Sequence, residues 1–365
     1  MIRNSIVIVL ALIVPFASFG ETSSTERGRP WRIVPLPIVA YAPDFGGMFG
    51  GAAIITYGPD VGMPESLKTG QLNNSVATNA IITTNRSYIG VVATTNYLRS
   101  EQIRWDNKVV ANQIPRTFFG VGPDADFVES YTALSVELES NPNFRLSDGL
   151  YLGPLWQYAY FSVSETESGG EFESGDFRGT EGDVVANGVG FRAIWDTTGG
   201  AFWPTEGFVA DSVVRYAPKS LGSTYAFGSA QLDLRTYVTV VSDHVLAVRG
   251  KYQQAWGSVP LEFLPAIGGD GEMRGLLEQR YRDKVAATLQ AEYRVPLHRR
   301  FGVVGFVSAG QVANDPFSLD LSDPKIAGGL GLRVTLDVEQ KVNLRLDVAF
   351  AGSDFSPYVN MTEAF

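Results

Sequence analysis

The chain has 365 residues, a formal net charge of −10 and no cysteine. The acidic balance argues against nucleic acid as a partner, because nucleic-acid-binding surfaces need clustered basic residues. The lack of cysteine excludes disulfides and thiol chemistry, and two histidines are too few for a typical structural zinc site. We therefore predict a protein without a cofactor or a metal.

The first twenty residues, MIRNSIVIVLALIVPFASFG, have the pattern of an export signal. Arg3 provides a basic start, the stretch from Ile6 to Ala17 is apolar, and small residues precede a cleavage site before Glu21. The apolar stretch is shorter than the roughly 20 residues that a spanning helix needs. We therefore interpret residues 1–20 as a signal peptide.

Most of the remaining sequence alternates apolar and polar residues with the period of two that is typical of β-strands. In KVNLRLDVAF, for example, Asn343, Arg345 and Asp347 fall on one face, and valine, leucine and phenylalanine side chains fall on the other. GLGLRVTLDV and ATLQAEYRV alternate in the same way. Sixteen strands are predicted, at 33–42, 46–57, 73–84, 87–98, 102–112, 128–139, 148–163, 185–196, 207–217, 224–240, 243–256, 284–295, 301–312, 326–337, 342–351 and 358–365.

The lengths of strands and connections favour a membrane barrel over a soluble sandwich. Many predicted strands exceed the mode of about 5–6 residues in soluble sheets. Short turns at 241–243, 297–300 and 338–341 alternate with long loops at 163–183 and 257–283, as in outer-membrane barrels. The predicted fold class is all-β, a 16-stranded antiparallel transmembrane β-barrel with a polar lumen. The barrel is assigned to 33–365, and 21–32 to a short periplasmic N-terminal segment.

Several motifs occur in a fixed order in the second half of the chain. Asp196, Pro204, Thr205 and Gly207 form a D-t-x-x-x-x-f-x-P-T-x-G turn between two strands. GGDGEMRGLLEQRY, residues 268–281, follows as a long loop, and LQAEYRVPL, GFVSAGQVAND and GGLGLRVTL come after it. This ordered set resembles the BamA/TamA superfamily of outer-membrane proteins, also called the bacterial surface antigen family.

The resemblance implies a role for the centre of the long loop. In that family the arginine of a V-R-G-F/Y motif folds back into the barrel and pairs with acids on the inner wall. Carried over, Met273, Arg274 and Gly275 form the tip of a lumen loop, and Glu292 is the wall partner of Arg274. From the residues alone, an ordinary surface arginine in a solvated loop is the alternative.

The sequence departs from the family pattern at several positions. Ser308 replaces the second acid, expected in F-V-D-A-G, and Leu276 replaces an aromatic residue. Asp337 and Asp347 lie on the predicted polar face and are candidate substitutes for the missing acid. The segment 21–32 is too short for the periplasmic POTRA domains of family members that insert or secrete proteins, so we expect a separate periplasmic or POTRA-bearing partner protein.

The chain ends in YVNMTEAF, and a final phenylalanine is common on outer-membrane barrels as part of their assembly signal. We predict that Tyr358 and Phe365 carry that signal, and that the outer-membrane assembly machinery inserts this chain. The expected location is the outer membrane of a Gram-negative bacterium. The barrel wall would there contact outer-membrane lipid and lipopolysaccharide.

Three functions remain open from the sequence. The first is a BamA/TamA-type barrel that assists protein insertion or translocation through a weak seam, near Ile33–Ala42 and Tyr358–Phe365. The second is a passive channel or structural barrel without insertase activity. The third, an enzyme, is disfavoured because His244 and His298 fall at predicted short turns and no G-x-S-x-G nucleophile motif occurs. We predict no enzymatic activity.

Overall fold

The fold is given by a computed structural model, and the predicted signal peptide, residues 1–20, lies outside the described residues. The structure describes residues 31–58, 73–167, 169–174, 177–180, 182–198, 203–298, 300–337, 342–352, 354–361, 363 and 365. Of the predicted N-terminal segment 21–32, only the last two residues lie within these ranges. The side chain of Asp337 also lies outside the described part.

Sixteen antiparallel strands form one closed barrel, which confirms the predicted fold class. Two further short strands, β12 and β13, pair with each other inside one connection. The strands are β1 Trp31–Ala42, β2 Gly46–Tyr57, β3 Asn74–Thr83, β4 Tyr88–Leu98, β5 Ile103–Phe118, β6 Glu129–Ser147, β7 Leu150–Ser164, β8 Val184–Asp196, β9 Gly207–Ala217, β10 Phe227–Val241, β11 His244–Gly257, β12 Ala266–Ile267, β13 Tyr281–Arg282, β14 Val285–His298, β15 Phe301–Ala313, β16 Lys325–Asp337, β17 Val342–Ala351 and β18 Asp354–Met361.

Among the residues that the structure describes, helical structure occurs in short pieces of the connections. A single helical turn, α1, covers Glu171–Ser174, and 3-10 turns cover Lys219–Leu221, Leu261–Phe263 and Pro316–Ser318. In the described part of the chain, no helix is both long and apolar enough to cross a bilayer.

The barrel buries its charges and exposes its apolar side chains, the reverse of a soluble sheet. On β14, Glu292 and Arg294 are fully buried in the lumen, while Leu289 and Leu297 are about 60% exposed on the outside. β17 repeats this, with buried Arg345 between outward-facing leucines. Because lipid solvates an apolar wall and cannot solvate charges, this pattern is that of a transmembrane barrel with a polar interior.

Several strands differ from their predicted bounds, and three of the larger differences include a proline. The prediction ended β5 before Pro115, ended β6 before Pro142 and began β18 after Pro357. In the structure Pro115 pairs with Thr132 and Pro357 with Val348, so the strands continue through them. Proline lacks an N–H and normally marks the end or edge of a strand. In these strands the proline removes one backbone N–H donor from one edge of the strand. Pairing with the neighbouring strand on the other edge continues.

Candidate functional site

The connection between β11 and β14, residues 258–284, folds into the barrel and is called the lumen loop below. The short strands β12 and β13 form its stem. Its tip buries Met273 completely against Ile267, Val312 and Ala327. The lumen loop thus has an apolar contact with the wall in addition to its charged ones.

Arg274 lies at the tip of the lumen loop and is buried among acids of the wall. Its Nη2 donates to Glu292 Oε2 at 2.6 Å, and its Nη1 donates to the carboxylate of Asp347. Burial opposes the charge of Arg274, but the attraction of Glu292 and Asp347 outweighs it, so its pKa lies above the usual arginine value. The structure therefore brings together Arg274, Glu292 and Asp347, three of the residues singled out from the sequence.

Further charged side chains extend this cluster along the inner wall. Arg294 Nε donates to Glu292 Oε1 at 2.8 Å, and Arg333 Nη1 donates to Asp347 Oδ1 at 2.5 Å. Ser308, at the position of the missing family acid, donates instead to the backbone oxygen of Ala327 at 3.4 Å. Asp347 is thus the second acid that contacts Arg274, while the side chain of Asp337 is outside the described part.

Gly275 brings the loop backbone close to the wall. Its φ is +112°, a conformation that favours glycine, and a Cβ there would lie 3.0 Å from the oxygen of Phe350. Its N–H donates to the hydroxyl of Tyr358 at 3.1 Å. Tyr358, predicted as part of an assembly signal, therefore points into the lumen and contacts the loop tip in the folded barrel.

The root of the lumen loop is fixed by a second polar cluster. Glu262 accepts from the hydroxyl of Tyr131 at 2.5 Å and from Arg116 Nη1 at 3.1 Å. Arg116 and Arg282 both donate to the side-chain oxygen of Gln279, at 2.8 and 2.5 Å. This cluster ties the root to β5 and β6, opposite the Arg274 cluster.

A third contact reaches the turn between β1 and β2. The N–H of Glu278 donates to Asp44 Oδ1 at 3.0 Å. Burial raises the pKa of the Glu278 carboxyl to about 7; Arg116 opposes the rise, and Asp44 adds to it. Burial likewise raises the pKa of Asp44, against the hydrogen bond from Glu278. No motif pointed to these two residues, because their link joins a backbone N–H to a turn 234 positions away in sequence.

The family turn motif lies apart from Arg274. Asp196 Oδ1 accepts from the N–H of Thr198 at 2.8 Å, which shapes the turn after β8. Gly207 has a φ of +96°, and the backbone oxygen of Thr205 accepts from Thr239. Pro204 reaches the edge of the charged cluster, where its backbone oxygen lies 3.5 Å from Arg294 Nη1.

The seam between the first and last strands is the least paired part of the wall. Among the described residues, Tyr41 opposite Val359 is the single register pair between β1 and β18. By contrast, β1 pairs with β2 along its whole length, from Trp31 opposite Tyr57 to Ala42 opposite Gly46.

Residues after β18 contact the inside of the barrel. Glu363 accepts from Arg333 Nε at 3.0 and 2.8 Å. The backbone oxygen of Phe365 accepts from Arg294 Nη2 at 3.0 Å, and its ring packs against the cluster of Tyr237, Val245 and Ala247. Phe365, predicted as an assembly signal, is therefore partly enclosed in the folded chain. Glu363 was not singled out, because the alternation in YVNMTEAF is imperfect.

The two histidines lie at strand ends next to short turns. His244 begins β11, and its Nδ1 lies 2.9 Å from the hydroxyl of Tyr293; His298 ends β14. Among the described residues, no group of three or more histidine, aspartate or glutamate side chains is placed to hold a metal ion. The absence of enzymatic activity stays a prediction.

The structure is a closed membrane-type barrel with an arginine of a lumen loop buried against its wall and a sparsely paired seam. Comparisons with known proteins identify its family. Residues 70–355 match the Omp85 superfamily domain. The chain therefore belongs to the Omp85 superfamily, which confirms the resemblance to BamA and its relatives. No curated protein sequence matches the chain.

Solved structures of this superfamily share the fold at low sequence identity. BamA from Haemophilus ducreyi lacking POTRA domains 1–3 is 14% identical with a TM-score of 0.62, over 91% of this chain and 70% of that one. CdiB from Acinetobacter baumannii is 13% identical with a TM-score of 0.55, over 92% and 60% of the two chains. CdiB from Escherichia coli is 9% identical with a TM-score of 0.57, over 93% and 64%. The chain thus spans less than two thirds of either CdiB.

Proposed function

We propose that this chain is an outer-membrane barrel of the BamA/TamA type that assists the insertion or translocation of proteins together with a separate partner. Omp85 barrels reside in outer membranes, and the apolar outer face of this barrel fits that location. The observation that carries the proposal is the seam, where Tyr41 and Val359 alone join β1 to β18 among the described residues.

A sparsely paired seam exposes backbone hydrogen-bonding groups to which an incoming strand could pair. Unpaired backbone N–H and C=O groups on a strand edge are a template for adding another strand. The part of β1 from Ile33 to Ala40 has no register pair with β18 among the described residues. A client strand is proposed to pair there, and a periplasmic partner to deliver it, with the long loops of the barrel facing outward.

The test locks the seam in a chain that has no native cysteine. Tyr41→Cys combined with Val359→Cys places a disulfide across β1 and β18, at the one pair that joins them. Val39→Cys combined with Phe49→Cys is the matched control, because these residues are paired partners on β1 and β2.

The readout is the folding of a urea-denatured outer-membrane barrel diluted into lipid vesicles, followed by its heat-resistant band on a gel. Dilution from urea delivers the client without a partner. We expect vesicles with this protein to speed client folding, the oxidised seam lock to abolish the effect, a thiol reductant to restore it and the control lock to leave it intact. Equal rates in empty and loaded vesicles, or no effect of the seam lock, contradict the proposal.

A passive channel is the second candidate, and cavities beside the lumen loop favour it. One polar cavity of about 350 Å³ lies among Arg215, Gln253 and Glu262. Single-channel conductance in a planar bilayer separates the candidates. A loop held by Arg274 predicts a nearly silent or flickering wild type and a steadily conducting Arg274→Ala variant, whereas a large steady pore in both favours the channel.

A further inference from the structure

We infer that the lumen loop is a clasp that holds the seam closed from inside the barrel, and that Asp44 is its point of attachment on the β1 side. The inference depends on the proposed function only for the reason why the seam would open. The contacts of the clasp are present in the folded chain whatever its function. It assigns a positioning role to a turn residue that belongs to none of the family motifs.

On one side of the seam, the lumen loop is bonded to β18 at several points. The N–H of Gly275 donates to the Tyr358 hydroxyl at 3.1 Å, and Ser356 Oγ donates to the oxygen of Gly275 at 3.4 Å. Asn360 Nδ2 donates to Asp270 Oδ2 at 2.8 Å. These bonds reach most of the length of β18, so the last strand moves with the loop tip.

On the other side, the same loop is bonded to the first hairpin. The N–H of Glu278 donates to Asp44 Oδ1 at 3.0 Å, and Asp44 lies in the turn that joins β1 to β2. Asn85 Nδ2 donates to the backbone oxygen of Asp44 at 2.7 Å, which ties that turn to the β3–β4 turn. The hairpin is therefore held to the loop on one side and to the next hairpin on the other.

The distribution of these contacts makes Asp44 the release point. The loop tip is also fixed by Arg274 between two buried acids. On the β1 side, among the described residues, the carboxylate of Asp44 is the one side chain that accepts a hydrogen bond from the loop. Loss of the Asp44 carboxylate frees β1 from the loop and leaves the Arg274 cluster in place. The seam would then be held by its single register pair, Tyr41 with Val359, and by the packing of Ala42 in one apolar cluster with Tyr358.

The test measures the distance across the seam with spin labels in lipid vesicles. Val39→Cys on β1 and Phe355→Cys on β18 carry the labels, since both side chains face outward and are well exposed. Val39→Cys with Tyr88→Cys on β4 is the control pair, because it spans the wall of the barrel without crossing the seam. Each pair is measured with native Asp44 and with Asp44→Ala.

We expect Asp44→Ala to add a second, longer distance population to the Val39/Phe355 pair and to leave the Val39/Tyr88 pair unchanged. Asp315→Ala is the matched substitution, because Asp315 accepts the N–H of Phe317 at 2.9 Å in a loop that does not contact the seam turn. Asp44→Asn keeps an acceptor oxygen and should restore much of the native distribution.

An unchanged Val39/Phe355 distribution in Asp44→Ala overturns the clasp. A change in both label pairs also overturns it, because the substitution then loosens the barrel as a whole. The distance measurement needs no client protein. It can therefore contradict the clasp while the client-folding test supports the proposed function, or support the clasp while that test fails.

Discussion

The guanidinium carbon of Arg274 lies 3.6 Å from the ring centroid of Phe306. The cation therefore has an aromatic face against it, in addition to the carboxylates of Glu292 and Asp347. The guanidinium is buried, and its removal leaves the two carboxylates without this partner.

Arg274→Ala is expected to destabilise the barrel strongly. Removing one member of a buried ion pair costs about 3–5 kcal/mol, because the remaining charges stay desolvated. The free energy of unfolding in denaturant, with the protein in detergent micelles, measures the change. Arg235→Ala is the control: Arg235 is partly exposed and pairs with Asp233 on its own strand, so about 0–1 kcal/mol is expected. Equal losses in both variants would show that the buried ion pairs of Arg274 add no more stability than the partly exposed pair of Arg235.

Gly275→Ala should move the loop tip away from the wall. A Cβ at Gly275 meets the Phe350 oxygen at 3.0 Å, and the φ of +112° is strained for alanine by about 1–3 kcal/mol. Gly271→Ala is the matched control, because no atom lies within 4 Å of the Cβ it would add. The temperature at which the folded gel band disappears compares the two, and a similar drop for Gly271→Ala would contradict the close approach.

The pH dependence of stability should contain a contribution from Glu278. Its pKa is raised to about 7, so the folded barrel binds a proton that the unfolded chain loses near its ordinary pKa of 4.5. The groups around it are Arg116, Asp44, Glu272 and Asp270. This stabilisation is complete below pH 4.5 and is lost as the pH rises through 7. Denaturant midpoints from pH 4.5 to 8 should fall in the wild type more than in Glu278→Gln, and parallel curves would refute the assignment.

Glu363→Gln should weaken the attachment of the residues that follow β18. The two carboxylate oxygens of Glu363 share the N–H of Arg333 Nε, and a hydrogen bond to a charged group contributes about 1.5–3 kcal/mol. Proteolysis from the C-terminal side should become faster, since these residues would leave the lumen more often. Asp354→Asn, at an exposed position at the start of β18, is the control and should leave the rate unchanged.

The alternation of polar and apolar residues was sufficient to predict the barrel and its inner face. Arg345 and Asp347 were placed on the polar face from period two alone, and both are buried in the lumen. The pairing of Arg274 with Glu292 came from the family resemblance, because loop spacing does not indicate which wall residue a loop side chain reaches. The structure places these two side chains in contact.

Other features had no local signal in the sequence. β5 and β6 were predicted to end before Pro115 and Pro142, although both strands continue through these prolines. Whether a proline interrupts a sheet depends on which neighbour its missing N–H faces, and that is set by register. The hydrogen bond from the N–H of Glu278 to Asp44 was not predicted, because the sequence does not indicate which of the aspartates in turns a backbone N–H of a distant loop will reach.

The open edge of β1 also bears on how the barrel avoids aggregation. An unpaired edge invites other copies of the chain to add strands to it and polymerise. Pro35 and Pro37 lie in this stretch and have no N–H to offer. Prolines are tolerated in sheets chiefly on edges, where the missing donor faces away from the paired neighbour. A strand that adds to β1 finds no N–H at Pro35 or Pro37, and this loss of donors discourages pairing between copies of the chain.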